Sequence, residues 1–142
     1  MKIYFACSIT GGRQYEQTYQ ALTQFLLDQG YEIPTAHLAE SNILALEKVV
    51  RPSDVYARDV NWIQTSDILL AEVSVPSHGV GYEIGYALGL KKPVLCLHDA
   101  DRAVSKMITG NPDPLLTISS YDNLDGAYAA IITLVNKVIK RS

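Results

Sequence analysis

Apolar runs of strand length alternate with longer stretches of helical period along this chain, and that alternation restricts its fold more than any other feature. Lys2 to Ile9 is the first run. Arg13 to Asp28 follows, with Tyr15, Tyr19, Leu22 and Leu26 on one helical face and a stop at Gly30. Tyr31-Glu32-Ile33-Pro34 predicts a short second strand ended by its proline. A polar-faced helical stretch spans Ala39 to Val50, and Pro52 opens a further helix that reaches about Thr65. Three more strands are expected at Ile68 to Val73, Pro93 to His98 and Leu115 to Ile118. A helix around Glu83 follows the first of these, and a last helix runs from about Asn123 to Lys140. The pattern predicts an α/β protein, a Rossmann-like or flavodoxin-like three-layer sandwich whose five-stranded parallel sheet has the order 2-1-3-4-5. Ligands of such sheets bind beyond the carboxyl ends of the strands, where the order switches. The loops Ser8 to Arg13 and Pro76 to Gly81 are therefore predicted to open onto one crevice.

The 142 residues suit one domain, 1–142, with 48% hydrophobic and 19% charged residues, the balance of a folded chain rather than a disordered one. No apolar run has the length of a bilayer span, and Met1-Lys2-Ile3-Tyr4-Phe5 enters a strand directly, so a cytoplasmic protein with no membrane partner is expected. A net charge of −3 without a basic cluster argues against a polynucleotide. It leaves open a small anionic ligand, which needs only local N–H groups. Cys7 and Cys96 lie in apolar strand runs, and His37, His78 and His98 have no metal-site spacing, so reduced buried thiols and neither metal nor cofactor are expected. Thr10-Gly11-Gly12-Arg13 lacks both the dinucleotide spacing and a P-loop lysine. It suits the approach of a sugar or base, or merely the entry to a helix.

Chemistry concentrates between Ser74 and Gly89. Here a carboxylate, Glu83, stands in an uncharged, glycine-punctuated strand-to-helix junction. Gly79 and Gly81 let backbone approach a ligand, and Ser77 with the amides after it is placed to receive phosphate at a helix N-terminus. Glu83 would then lie beside the ligand, where a nucleophile or proton carrier is useful; its alternative is an acidic residue that complements the helix dipole. Asp59 shares a helical face with Tyr56 and Ile63, either solvated or turned toward the crevice as a second carboxylate. Paired carboxylates suit chemistry in which one attacks a sugar carbon and the other manages a proton. Tyr4 and Tyr82 are candidate donors to such a carboxylate.

Three segments together carry a resemblance: Tyr4-Phe5-Ala6-Cys7-Ser8-Ile9-Thr10-Gly11-Gly12-Arg13, Arg58-Asp59-Val60-Asn61-Trp62, and Ala71 to Glu83 with its Pro-Ser-His-Gly-Val-Gly-Tyr-Glu core. In order and spacing they resemble the nucleoside 2-deoxyribosyltransferase superfamily, and within it the 2'-deoxynucleoside 5'-phosphate N-hydrolase branch. The resemblance implies that Glu83 attacks the anomeric carbon, that Asp59 assists the departing base, and that Tyr4 holds the nucleophile. It implies a substrate site drawing on Ser8, Ile9, Thr10, Gly11, Gly12 and Arg13, and a 5'-phosphate cradle of Ser77, Gly79 and Gly81. Ser105 would serve the phosphate of the neighbouring subunit of a homodimer, and Met107 is counted with the substrate-binding residues. Thr10 stands where the mammalian hydrolases carry arginine, so their base preference does not transfer. The expected activity is hydrolysis of a nucleoside 5'-monophosphate, most naturally 2'-deoxy, to free base and sugar 5-phosphate. The alternatives are base transfer between nucleosides, a ribonucleotide N-glycosidase of the cytidine monophosphate type, and a nucleotide sensor without turnover.

Overall fold

A computed structural model describes residues 1–9 and 11–142; Thr10, a predicted site residue, lies outside the described residues. Four strands, β1 (Ile3–Ala6), β2 (Ile68–Glu72), β3 (Val94–Asp99) and β4 (Leu116–Tyr121), form one parallel sheet in the order β1-β2-β3-β4. Around it run α1 (Glu16–Asp28), a 3-10 turn at Ala36–Ala39, α2 (Ile43–Lys48), α3 (Pro52–Thr65), α4 (His78–Gly89), the short α5 (Lys106–Thr109) and α6 (Leu124–Arg141).

Strand periodicity decides which helix covers which face. Ile3, Phe5, Leu70, Leu95 and Leu97 point to one side and pack on Tyr19, Leu22 and Leu26 of α1 and on Ile131 and Val135 of α6. Tyr4, Ala6, Leu69, Ala71, Val94 and Cys96 point to the other, against Ile63 of α3 and Val80, Ile84, Ala87 and Leu88 of α4. Strands buried on both sides explain why their sequences read as unbroken apolar runs.

The fifth predicted strand is not formed. Tyr31 to Pro34 contributes one parallel bridge, Lys2 to Glu32, on the outer edge of β1. Pro34 has no N–H to extend the ladder. The next residue replaces backbone pairing with its side chain: Thr35 Oγ1 accepts from Phe5 N at 3.0 Å and donates to Phe5 O at 2.7 Å. The segment does keep its place beside β1, so the chain leaves β1 on one side for this edge and on the other for β2. That switch places the loops after β1 and β2 next to each other.

Local signals set the helix bounds. Pro52 is the first residue of α3, while α1 begins at Glu16 rather than Arg13, after a turn containing Gly12 at φ 133°. Ser77 and Asn123 cap α4 and α6 by accepting from Val80 N and Gly126 N. No helix among the described residues is long and apolar enough to cross a membrane.

Candidate active site

The predicted meeting of loops occurs at Gly11. A side chain there would stand 2.3 Å from the carbonyl oxygen of Pro76, so only glycine lets the loop after β1 rest on the loop after β2. A cavity of about 770 Å³ opens at this contact. It is lined by Gly11, by Ser77, Val80 and Gly81 of the α4 entry, and by Ser105 and Met107 across from them.

Ser77 ends an extended stretch and starts α4. Its hydroxyl oxygen accepts from Val80 N at 3.3 Å, and its carbonyl takes Gly81 N at 3.1 Å. The Gly81 amide is thus committed to the helix and is no open phosphate donor, against the expectation from its position in the motif. Gly81 borders the cavity with its backbone alone. The amides of His78 and Gly79 precede the first intrahelical bond and stay at the open end of the helix.

One turn further, the Glu83 carboxylate leaves α4 on the α3 side, away from Ile84 and Gly85, which border the cavity. Tyr4 Oη, from the centre of β1, donates to Glu83 Oε2. The other oxygen, Oε1, takes no hydrogen bond among the described residues, and a Cβ at Gly79 would stand in ordinary contact with it at 3.9 Å. Burial pushes the Glu83 pKa from 4.5 up to about 7; the Tyr4 hydrogen bond pulls it down, the charge of Asp59 adds to the rise, and Arg58 opposes it. Tyr4 itself is pushed far up, first by burial and then by Glu83 and Asp59, so it stays a neutral donor.

Asp59 is half-buried on α3, and its charge is among the causes that raise Glu83. Burial raises Asp59, while Arg58 pulls it down through a bond from Nε to Oδ1 of 2.9 Å. Arg58 also donates from its second terminal nitrogen to Glu47 Oε1 at 3.0 Å, and its guanidinium lies over the Trp62 ring at 5.0 Å. His37 closes the group, 3.9 Å from Glu47 and edge-on to Trp62. Glu47, Arg58, Trp62 and His37 went unassigned in the sequence. Glu47 and His37 come from separate segments, and only Arg58 and Trp62 carried a signal, through their motif beside Asp59.

The loop after β1 divides its residues unequally. Arg13 does not face the site. Its guanidinium donates to the carbonyls of Ser8, Leu38 and Glu40 and to Glu16, and lies over Tyr19, so its reach is spent on pinning three segments together. Ser8 is fully buried and Ile9 packs against the core, and among the described residues of this loop Gly11 lies on the cavity wall. Gly12 supplies the turn. Ser105 caps α5, accepting from Met107 N at 3.2 Å, and Met107 is 84% exposed. Cys7 and Cys96 are buried free thiols raised to about 12 by burial and are inert at neutral pH. Among the described residues no three His, Cys, Asp or Glu side chains are grouped to hold a metal ion.

A tyrosine and a helix-borne glutamate joined across β1 and α4, a second carboxylate on α3 and a serine-capped helix end coincide with a family match. The family model for nucleoside 2-deoxyribosyltransferase matches residues 3–125. The chain belongs to this family. A Methanosarcina mazei protein provisionally named 2'-deoxynucleoside 5'-phosphate N-hydrolase 1 is 43% identical, the match covering 94% of this chain and 83% of that one. The 5-hydroxymethyl-dUMP N-hydrolase of Esox lucius is 41% identical over 80% of this chain and 81% of its own. The fold recurs in a Clostridium botulinum CMP N-glycosidase with TM-score 0.71 and 19% identity, covering 94% of this chain and 99% of that chain. All four residue groups of the site lie within the family match.

Proposed function

We propose that the protein is an N-glycoside hydrolase that cleaves the base–sugar bond of 2'-deoxynucleoside 5'-monophosphates, releasing free base and 2-deoxyribose 5-phosphate. The observation that carries this reading is the Tyr4–Glu83 pair. A desolvated carboxylate with one oxygen held by a neutral donor and the other left open is oriented for attack. The names of relatives at 41–43% identity give the substrate class.

In the first step Glu83 Oε1 forms a bond to C1' while the C1'–N bond breaks and its electron pair passes to the base. Asp59 in its acid form donates a proton to that base, and Arg58 holds the side chain in one orientation. In the second step water attacks C1', Asp59 takes the proton, and the Glu83 carboxylate departs. The sum is nucleotide plus water to base plus sugar phosphate, with both carboxyl groups restored. Ser77 and the open amides of His78 and Gly79 receive the 5'-phosphate, where the helix N-terminus favours negative charge.

A homodimer completes this reading. Within one chain Ser105 and Met107 lie on the flank of α4 opposite Glu83, and Tyr56 and Tyr82 on α3 and α4 are 55% and 56% exposed with their rings edge to face. A second copy would cover the exposed tyrosines, while Ser105 already lines the cavity of Ser77 within one chain. Sedimentation tests this; a fully active monomer at assay concentrations contradicts it.

Free base released from a panel of deoxy- and ribonucleoside 5'-monophosphates, each compared with its unphosphorylated nucleoside, tests the activity. Hydrolysis that prefers the deoxynucleoside monophosphate is expected. Equal rates on nucleosides, with exchange of added base, would instead indicate a transferase.

A further inference from the structure

A second buried carboxylate takes no part in the chemistry above. Glu72, the last residue of β2, is fully buried at the carboxyl end of the sheet. Three donors converge on it. Its Oε1 accepts from Ser74 N at 2.6 Å, and its Oε2 accepts from Ser74 Oγ at 3.0 Å and from Tyr121 Oη at 2.5 Å. The Ser74 hydroxyl in turn accepts from Asp99 N at 2.8 Å, tying the end of β2 to the end of β3 as Tyr121 ties it to β4.

This arrangement lies where the chain leaves the sheet. Val73 N makes the last ladder bond, to Leu97 O at 2.8 Å; from Ser74 onward the backbone runs to α4 without strand pairing. Desolvating a carboxylate is costly, and packing alone would favour an apolar residue. A carboxylate adds what no apolar side chain supplies: acceptor sites for a backbone N–H and two hydroxyls at once, which fix the direction in which the chain departs. Beyond Ser74, Val75 is buried and the Pro76 ring locks one torsion. The Pro76 carbonyl rests against Gly11, and the next residue is Ser77. Few soft torsions separate the clamp from the serine that caps α4.

We propose that Glu72 is a positioning residue. Acting through Ser74, it sets the junction that presents Ser77 and the open end of α4 to the substrate's 5'-phosphate. This rests on the assignment of Ser77 to the phosphate. It predicts a defect that falls mainly on the phosphorylated substrate, because Glu83, one turn into α4, is held by Tyr4 of β1 and Asp59 by Arg58 of α3, neither bond passing through Glu72.

The test is steady-state kinetics of Glu72→Gln, Ser74→Ala and Ser77→Ala on a 2'-deoxynucleoside 5'-monophosphate and on the corresponding nucleoside, with thermal melts alongside. Glu72→Gln keeps shape but turns an amide toward the two hydroxyls. It is expected to raise KM for the monophosphate about tenfold, with kcat falling less than KM rises and kcat/KM on the nucleoside changing less than about twofold. Ser74→Ala should move KM the same way by about threefold, and the double variant should be no worse than Glu72→Gln alone. Equal losses on both substrates, or an unchanged preference for phosphate, overturn the proposal. If Glu72→Gln does not fold, Ser74→Ala decides by the same criterion. Ser77→Ala separates the two layers: if it leaves the phosphate preference intact, the Ser77 assignment is what fails, whereas a Ser77→Ala effect without a Glu72→Gln effect contradicts Glu72 alone.

Discussion

Glu72 and Glu83 are both desolvated carboxylates near the carboxyl end of the sheet, each bonded to a tyrosine from a strand, yet they lie on opposite faces and are equipped for opposite ends. Glu72 sits on the α1/α6 side and its oxygens take three bonds, from Ser74 N, Ser74 Oγ and Tyr121 Oη. Glu83 sits on the α3/α4 side, where Tyr4 occupies one oxygen and the other has no hydrogen-bond donor among the described residues. Burial alone therefore does not mark a reactive carboxylate. What separates the two is the number of donors: a saturated carboxylate is a fixed joint, and one left half-paired retains a lone pair for attack.

The largest expected effect is on Glu83. Glu83→Gln should lower kcat for base release about 10⁴-fold, since the amide cannot form the ester to C1'. The same change should stabilise the protein. The folded pKa is raised from 4.5 to about 7, so the fold holds the proton more tightly than the unfolded chain does. Stability is full below the lower value and is lost as pH rises through the upper one, a loss of roughly 3 kcal/mol at 1.36 kcal/mol per pH unit. At pH 8 an amide escapes most of this, and a melting temperature about 5 °C higher is expected by calorimetry. Glu72→Ala should do the reverse: by stranding three buried donors it should lower stability by about 3 kcal/mol in a denaturant titration. Loss of stability in both, or in neither, would break the distinction.

Asp59→Asn comes next. It keeps the bond from Arg58 but cannot deliver a proton, and kcat should drop about 100-fold for a base that needs protonation, with a smaller drop for a substrate carrying a good leaving group. A subtler probe is the pH profile. kcat/KM of the free enzyme should rise as Glu83 ionises, with a limb near pH 7. Because the Tyr4 hydrogen bond favours the ionised form, Tyr4→Phe should move that limb to higher pH and lower kcat/KM at neutral pH about tenfold. A limb that stays in place would mean another group governs it. The smallest effect belongs to Tyr121→Phe, which removes one of three donors to Glu72 and should cost about 1 kcal/mol without moving the limb.

Much of this site was legible in the sequence, for reasons that also explain the exceptions. Glu83 and Ser77 stand in a contiguous motif, and Pro52 fixed the frame of α3, so Asp59 fell on the predicted helix. The strand at Tyr31 to Pro34 read as a full element because a single hydrophobic run does not reveal that Thr35 will pair with Phe5 by its side chain. Arg13 read as a ligand-facing cation because the carbonyls that absorb it, at Leu38 and Glu40, are distant in sequence. Glu72 did leave a mark, a charge at the end of an otherwise apolar strand. Its meaning depended on Tyr121, 49 positions away.

The central claim, that Glu83 carries the sugar while Glu72 only holds the frame, is tested most directly by catching the intermediate. Enzyme turning over a 2'-deoxynucleoside 5'-monophosphate is quenched in acid, digested and mapped by mass spectrometry. The expected result is a 2-deoxyribose 5-phosphate ester on the peptide containing Glu83, present with the unaltered protein and with Glu72→Gln and absent with Glu83→Gln. An adduct on another residue, or full-rate base release by Glu83→Gln, would contradict it.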